Sequence, residues 1–371
     1  MSRKLRVLGV STADVHNRRF TSVPSRTAGF WREVDQQFEL VDTVNPTIPF
    51  FTRATRRLLA RAKPAGDRFS WTTFSPQVFD LRTKAVRQQI FAVKKPWDLV
   101  IQEGIYNSLP PEAGPYVVYT DATYELVERY GGAHGVLRNR ASDRSAWLTR
   151  ERELYGNSQV VLTMAEFSRR SVIEFYGLAE SKVHAIGAGL NIPLRSSEPE
   201  KMKKRVALFV GYDFTRKGGN TLLDAWPSVH GSFPDAELWI AGPDVGRNAP
   251  QPRIPGVVWL GRIKDQAALQ KIYDQALVFV LPSLWEAYGH VFDEALSYGL
   301  PCIGTAHCSM PEIIGDKHGW LVSPGNAHAL ANALREALEN PQRTMKLVNP
   351  ATVKIKTWGQ VVNRLKELVS P

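Results

Sequence analysis

Short apolar runs closed by Gly, Pro, Asn or Asp alternate along this chain with stretches whose apolar positions recur every three or four residues. That alternation is the pattern of parallel α/β units, in which buried strands feed amphipathic crossover helices. In the first half, strands are read at 5–10, 97–104, 116–120, 158–164 and 182–187, with helices around 143–156 and 167–176. A second series has strands at 205–211, 236–242, 257–261, 276–283, 301–305 and 319–322, with helical spacing in GGNTLLDAWPSVH, DQAALQKIYDQ, GHVFDEALSYG and NAHALANALREALEN. Residues 191–204 (NIPLRSSEPEKMKK) hold no sustained period, two prolines and several charges, and read as a linker.

At 371 residues the chain exceeds one ordinary core, and ~150 residues per domain implies two. The expected architecture is α/β, with two Rossmann-like doubly wound domains facing a central cleft. The expected boundaries are 1–190, a linker at 191–204, a second domain at 205–350, and a terminal segment at 351–371 whose spacing is helical. Open α/β sheets bind ligands outside the carboxyl ends of their strands, so residues following 211, 242, 261 and 283 become the candidates.

Composition narrows the class. With 43% apolar residues and no low-complexity tract, the chain reads as a globular protein. The apolar run at 7–10 is too brief for a signal-peptide core, and that at 276–284 falls far below the ~18 to 20 residues of a membrane span. Two cysteines, Cys302 and Cys308, suit a reducing compartment. The expected location is therefore cytoplasmic. The net charge of +11 is concentrated in the first 190 residues, above all in RATRRLLARAKPAGDR at 53–68. One reading of that stretch is a basic amphipathic helix meeting an anionic acceptor or the inner face of a membrane; the other is a solvated helix face. Nucleic acid is not expected as a partner, because no reading motif or regular aromatic interleaving accompanies the basic residues.

The chemistry gathers at the strand ends of the second half. After 205–211 comes YDFTRKGGN, where Arg216 and Lys217 adjoin Gly218 at the start of a helix. Two cations, backbone N–H groups and a helix dipole make an anion site suited to a diphosphate. After 276–283 comes PSLWEAYGHVFDEALSYG, with Glu286 on the incoming loop, Gly289 opening the helix and Glu294 within its first turns. Glu294 can accept both hydroxyls of a ribose, while N–H groups near Gly289, His290 and Val291 face a phosphate and Glu286 meets a second polyol. The plain alternative makes Glu286 a capping acid and Glu294 a surface residue. Cys302, His307 and Cys308 match no zinc spacing, and no metal site is expected.

Four segments in order carry a family resemblance: GYDFTRKGG, EAYGHVFDE, MPEIIGDKHGWLV and, upstream, ERELYGNSQVVLTMAEFSRRSVIEFYGLAESKVHAIGAGLN. The chain resembles the retaining glycosyltransferases of family 4, which have the GT-B fold and an E-x7-E motif; the likeness is good over about 150–340 and poor over the first 115 residues. What it implies is a sugar transfer, without metal or other cofactor, from a nucleotide-diphosphate-sugar donor to a glycan, lipid-linked or small-molecule acceptor. In that family the residue matching Glu294 binds the ribose, the one matching Glu286 lies by the transferred sugar, and the one matching Lys217 neutralises the leaving diphosphate. The family's arginine normally stands several residues earlier, so Arg216 is a substitute for it. Asp121 falls where the family has an acceptor-domain histidine, and backbone near Arg262 and Ile263 falls where the base is held. His16 is a second candidate in the first half. The resemblance further implies that the terminal helix crosses back onto the first domain. Two rivals are an epimerase or hydrolase of nucleotide sugars on the same fold and a non-catalytic sugar-nucleotide-binding protein.

Overall fold

The computed structural model describes residues 4–11, 26–48, 52, 54–55, 58–59, 61, 72–131, 140–193, 203–242, 253–349 and 353–370. The chain divides into two compact units, one of residues up to Gly189 together with Lys356–Pro371 and the other of Leu190–Ile355.

The first unit is built on six parallel strands, β1 (Arg6–Val10), β2 (Glu39–Val44), β3 (Leu99–Glu103), β4 (Tyr116–Thr120), β5 (Val160–Thr163) and β6 (Val183–Ala185), in the order β2-β1-β3-β4-β5-β6. Strand β2 has no counterpart in the sequence reading. Among the described residues it pairs only with β1, at the sheet edge, and its ELVDTV is half-exposed for most of its length, so no continuous apolar run announces it. Around this sheet lie α1 (Arg26–Gln37), α2 (Pro76–Ala92), α3 (Ala141–Asn157) and α4 (Glu166–Glu174). Trp147 of α3 sits fully buried among Phe74, Phe79 and Tyr124, with ring centroids 5.0 to 5.6 Å away. One turn on, the buried Glu151 accepts from the hydroxyls of Tyr155 and Tyr176 and from the Tyr124 N–H. Burial pushes its carboxyl up to about 7 against the pull of those hydrogen bonds.

The second unit repeats the plan with β7 (Val206–Val210), β8 (Glu237–Ala241), β9 (Val257–Gly261), β10 (Val278–Val280), β11 (Cys302–Thr305) and β12 (Gly319–Val322), all parallel, in the order β12-β11-β10-β7-β8-β9. Its helices are α5 (Gly219–Ser232), α6 (Gln266–Gln275), α7 (His290–Ser297), α8 (Met310–Ile314), α9 (Ala327–Glu339) and α10 (Pro341–Met345). The strand order of each sheet reverses once, between β1 and β3 in the first and between β7 and β10 in the second.

The last helix, α11 (Trp358–Val369), belongs to the first unit. Thr357 and Gln360 close its first turn as a capping box, and its apolar face buries Trp358, Val361, Val362 and Leu365. Trp358 packs on Gly29 and Gly189, where an added Cβ would overlap the indole, and Gln37 Nε2 donates to Gly359 O at 3.1 Å.

Of the basic stretch 53–68, Arg53, Arg56 and Arg57 lie outside the described residues, as does His16. Leu58, Leu59 and Arg61 are described, all exposed. Among the described residues no helix is long and apolar enough to cross a membrane.

Candidate active site

At the reversal point of the second sheet, the loops after β7 and β10 meet. The turn after β7 tightens through backbone bonds from Lys217 N to Asp213 O and from Gly219 N to Phe214 O, and Leu284 N donates across to Arg216 O at 2.9 Å. Gly218 then caps α5 at φ 77°, a left-handed conformation. A Cβ there would stand 1.9 Å from Pro282 O. Side chains rarely adopt that backbone, and a carbonyl cannot yield as a flexible side chain could. Gly218→Ala is therefore expected to lower stability by about 2 to 4 kcal/mol. Gly177→Ala supplies the control, since Gly177 has φ 76° with nothing within 4 Å of its added Cβ. It should cost only about 1 kcal/mol. Equal shifts in chemical denaturation midpoint for the two variants would rule out the close approach to Pro282.

The loop after β10 is fastened by side chains near the end of β11. Thr305 Oγ1 donates to Ser283 O at 2.7 Å, and Ser309 Oγ donates to Tyr288 O at 2.7 Å. His307 Nε2 lies 2.8 Å from Leu284 O, and a ring nitrogen facing a carbonyl must carry the proton. His307 thereby serves the backbone. Cys302 is buried in its strand, and Cys308 is buried at φ 56°.

These fastenings place Glu286 in contact with the β7 loop. Lys217 Nζ donates to Glu286 Oε2 at 3.0 Å, Ser283 Oγ donates to the same oxygen at 3.3 Å, and Arg216 Nη1 lies 3.8 Å away. The Glu286 and Lys217 side chains are only 13% and 14% exposed, so their attraction is weakly screened. Burial by itself would raise the Glu286 carboxyl. The charges of Lys217 and Arg216, with the hydrogen bonds from Lys217 and Ser283, outweigh it and hold the group below its ordinary value. Arg216 has a further task, donating through Nε to Asp213 Oδ2 at 2.9 Å and through Nη1 to Trp285 O at 2.7 Å, so that its guanidinium ties the two loops together. Lys217 has three donors on a compact charge, and one bond to Glu286 leaves two directions for an incoming anion.

Glycine recurs at the next helix start. Gly289 caps α7 at φ 92°, and a Cβ there would lie 2.9 Å from Phe292 Cδ2. His290 and Val291 form the first turn, with the His290 ring edge-on to Tyr288 at 5.0 Å. Glu294, one turn further, points inward. It is 8% exposed, and its Oε2 accepts from Tyr273 Oη at 3.1 Å. Tyr273 comes from α6, fully buried and stacked on Tyr298. Burial drives the Glu294 carboxyl up to about 7, with Asp293 adding to the rise and the Tyr273 bond and Lys217 opposing it. The surface-residue alternative for Glu294 is thus excluded.

The remaining sequence candidates are more dispersed. Arg262 and Ile263 follow β9, and the Arg262 guanidinium lies over the Tyr212 ring, 5.2 Å from its centroid. Asp121 lies in the first unit just past β4, where its backbone oxygen accepts from Ser168 Oγ at 2.6 Å. The structure therefore gathers Lys217, Arg216, Gly218 and Glu286 around one point. Ser283, Thr305, Ser309 and Tyr273 escaped the sequence reading. Only their targets, a carbonyl or a carboxylate brought near by folding, reveal them; a hydroxyl with no spacing partner carries no signal in one dimension.

Residues 192–353 match the family model described as Glycosyl transferases group 1. A phosphatidyl-myo-inositol mannosyltransferase of Mycobacterium leprae (strain TN) is 30% identical over 191 residues, 48% of this chain and 50% of that protein. The chain spans about half the length of the curated relatives it matches. Among solved structures, WaaG, a glycosyltransferase involved in lipopolysaccharide biosynthesis, aligns at TM-score 0.67 and 14% identity over 98% of this chain and all of that one. HepE of Anabaena, solved with UDP and glucose, aligns at TM-score 0.63 and 13% identity over 98% of each chain. At such identities the likeness is one of fold, and that fold is GT-B.

Proposed function

We propose that this chain, with the GT-B fold and a group 1 glycosyltransferase match across its second unit, is a glycosyltransferase that takes its sugar from a nucleoside-diphosphate donor. The observation that carries the reading is the Lys217 ammonium held by the ionised Glu286 beside the start of α5, at the reversal point of a doubly wound sheet. A fixed cation with donors to spare, next to unsatisfied helix N–H groups, is suited to the charge that builds on a departing diphosphate. Glu286 has two tasks in this reading: it aims the ammonium, and its remaining oxygen accepts a sugar hydroxyl. Glu294 takes the ribose. Retention of anomeric configuration belongs to the same reading, supported by the eight-residue spacing of the two glutamates and their resemblance to the E-x7-E motif.

The test is thermal unfolding of the full chain with UDP, GDP and ADP added separately. A ligand that binds only the native state, present at ~100 times its Kd, adds about 2.7 kcal/mol. One of the three is expected to raise the midpoint, and to lose much of that effect when the corresponding nucleoside without phosphates replaces it. A flat response to all three would overturn the reading.

A further inference from the structure

Strand β9 follows β8 in register from Leu238↔Val257 to Ile240↔Trp259, and then Ala241 pairs with Gly261, so that Leu260 is an extra residue. Such a bulge is rare between parallel strands, and it bends the chain and re-aims the side chains beside it. Gly261 permits it, with a φ of 65° and a carbonyl that accepts from Gly242 N at 2.8 Å. Arg262 comes next. Its guanidinium reaches past β8, the strand between, to lie over the ring of Tyr212 on the loop after β7, 5.2 Å from the centroid.

That ring stands on an anchored turn. Phe214, whose N–H donates to Tyr212 O at 3.1 Å, packs on both Phe209 of β7 and Trp259 of β9, with ring centroids 5.5 Å away in each case. Gly219 leaves it room, since a Cβ there would come within 2.3 Å of the Phe214 ring. Tyr212 itself is 54% exposed, and Arg262 is exposed with it. Among the described residues no carboxylate or carbonyl accepts from the Arg262 guanidinium. A guanidinium held over an aromatic face keeps its N–H donors for an outside acceptor, with part of its freedom already given up before binding.

Charge balance says what that acceptor is. The loops after β7 and β10 carry four charged side chains, and they pair off: Lys217 with Glu286 at 3.0 Å and Arg216 with Asp213 at 2.9 Å. Their charges cancel. Both phosphates of a diphosphate are ionised at neutral pH, so the ligand calls for a cation that no carboxylate neutralises. Resting on the nucleoside-diphosphate donor proposed above, we infer that the Arg262 side chain is that cation, a donor-binding residue whose guanidinium holds the diphosphate from the β9 side while Lys217 holds it from the β7 side. In this role Arg262 favours every nucleoside diphosphate alike, whatever its base.

The test is titration calorimetry of the full chain with UDP, GDP and ADP at fixed ionic strength. For each diphosphate that binds the parent protein, Arg262→Gln should raise Kd about 10-fold. Arg262→Lys keeps the charge without the planar fork and should recover part of the loss. Inorganic pyrophosphate, which has no base, should also compete about 10-fold less well in Arg262→Gln; undiminished competition marks recognition of the base and overturns the inference. Lys264→Gln removes an exposed cation two residues away and should leave Kd within about 2-fold. A loss there as large as in Arg262→Gln marks a diffuse field and overturns the inference, as does an unchanged Kd in Arg262→Gln. A parent that binds none of the three diphosphates refutes the donor reading itself, whereas equal binding by parent and Arg262→Gln leaves that reading intact.

Discussion

Lys217→Ala is expected to lower turnover about 100-fold or more while changing the Kd of a free nucleoside only slightly. The ammonium in this scheme meets charge that grows only as the diphosphate departs, so its loss falls on the transition state. The substitution also strands Glu286, which is 13% exposed and would lose its 3.0 Å ion pair. Breaking a buried pair on one side destabilises by roughly 3 to 5 kcal/mol, so a fall in turnover could reflect unfolding alone. The double variant Lys217→Ala/Glu286→Gln separates the two effects. Removing the stranded charge should restore most of the denaturation midpoint and none of the turnover. Turnover that recovers together with stability would remove the leaving-group role from Lys217.

Glu294→Ala is expected to weaken nucleoside-diphosphate binding by about 1.5 to 3 kcal/mol, roughly 10- to 150-fold in Kd, because the ribose contact proposed for it would exist before the reaction begins. A 2′-deoxyribose donor offered to the parent protein should reproduce much of that loss; equal affinity for both donors would sink the assignment. A pH dependence accompanies it. The Glu294 carboxyl stands at about 7 in the fold against 4.5 ordinarily, so the folded protein prefers it protonated. Its contribution to stability is full below about pH 4.5 and disappears as pH rises through about 7. Ribose hydroxyls prefer the ionised form, so nucleotide affinity should run the other way, rising between about pH 6 and about pH 8. Glu294→Gln, which can still accept from Tyr273, should flatten that rise. Titration calorimetry at the two pH values reads both effects.

What the amino-acid order determined by itself was whatever repeats at short range. Apolar runs such as RVALFVG are buried on both faces of a parallel sheet and stand out without any partner, as do the helical spacings between them. Glycines before helices marked the starts of α5 and α7, since the left-handed cap at Gly218 and Gly289 is a local property of the backbone. The placement of Lys217, Glu286 and Glu294 beside those starts was legible for the same reason: each sits a fixed number of residues from one. Edge strand β2 was not legible, because a strand paired on one side needs no apolar run. Tertiary structure alone decided which carboxylates ionise. Glu286 and Glu294 are eight residues apart and equally acidic as free side chains, yet Lys217 from 69 residues away holds one low while burial beside Tyr273 raises the other. Ser11 and Trp31, which donate to the Glu103 carboxylate, likewise arrive from 92 and 72 residues away. Charge in a folded chain is set by desolvation and by neighbours within a few ångströms, and the neighbours that matter here are brought together only when two parallel sheets reverse their strand order.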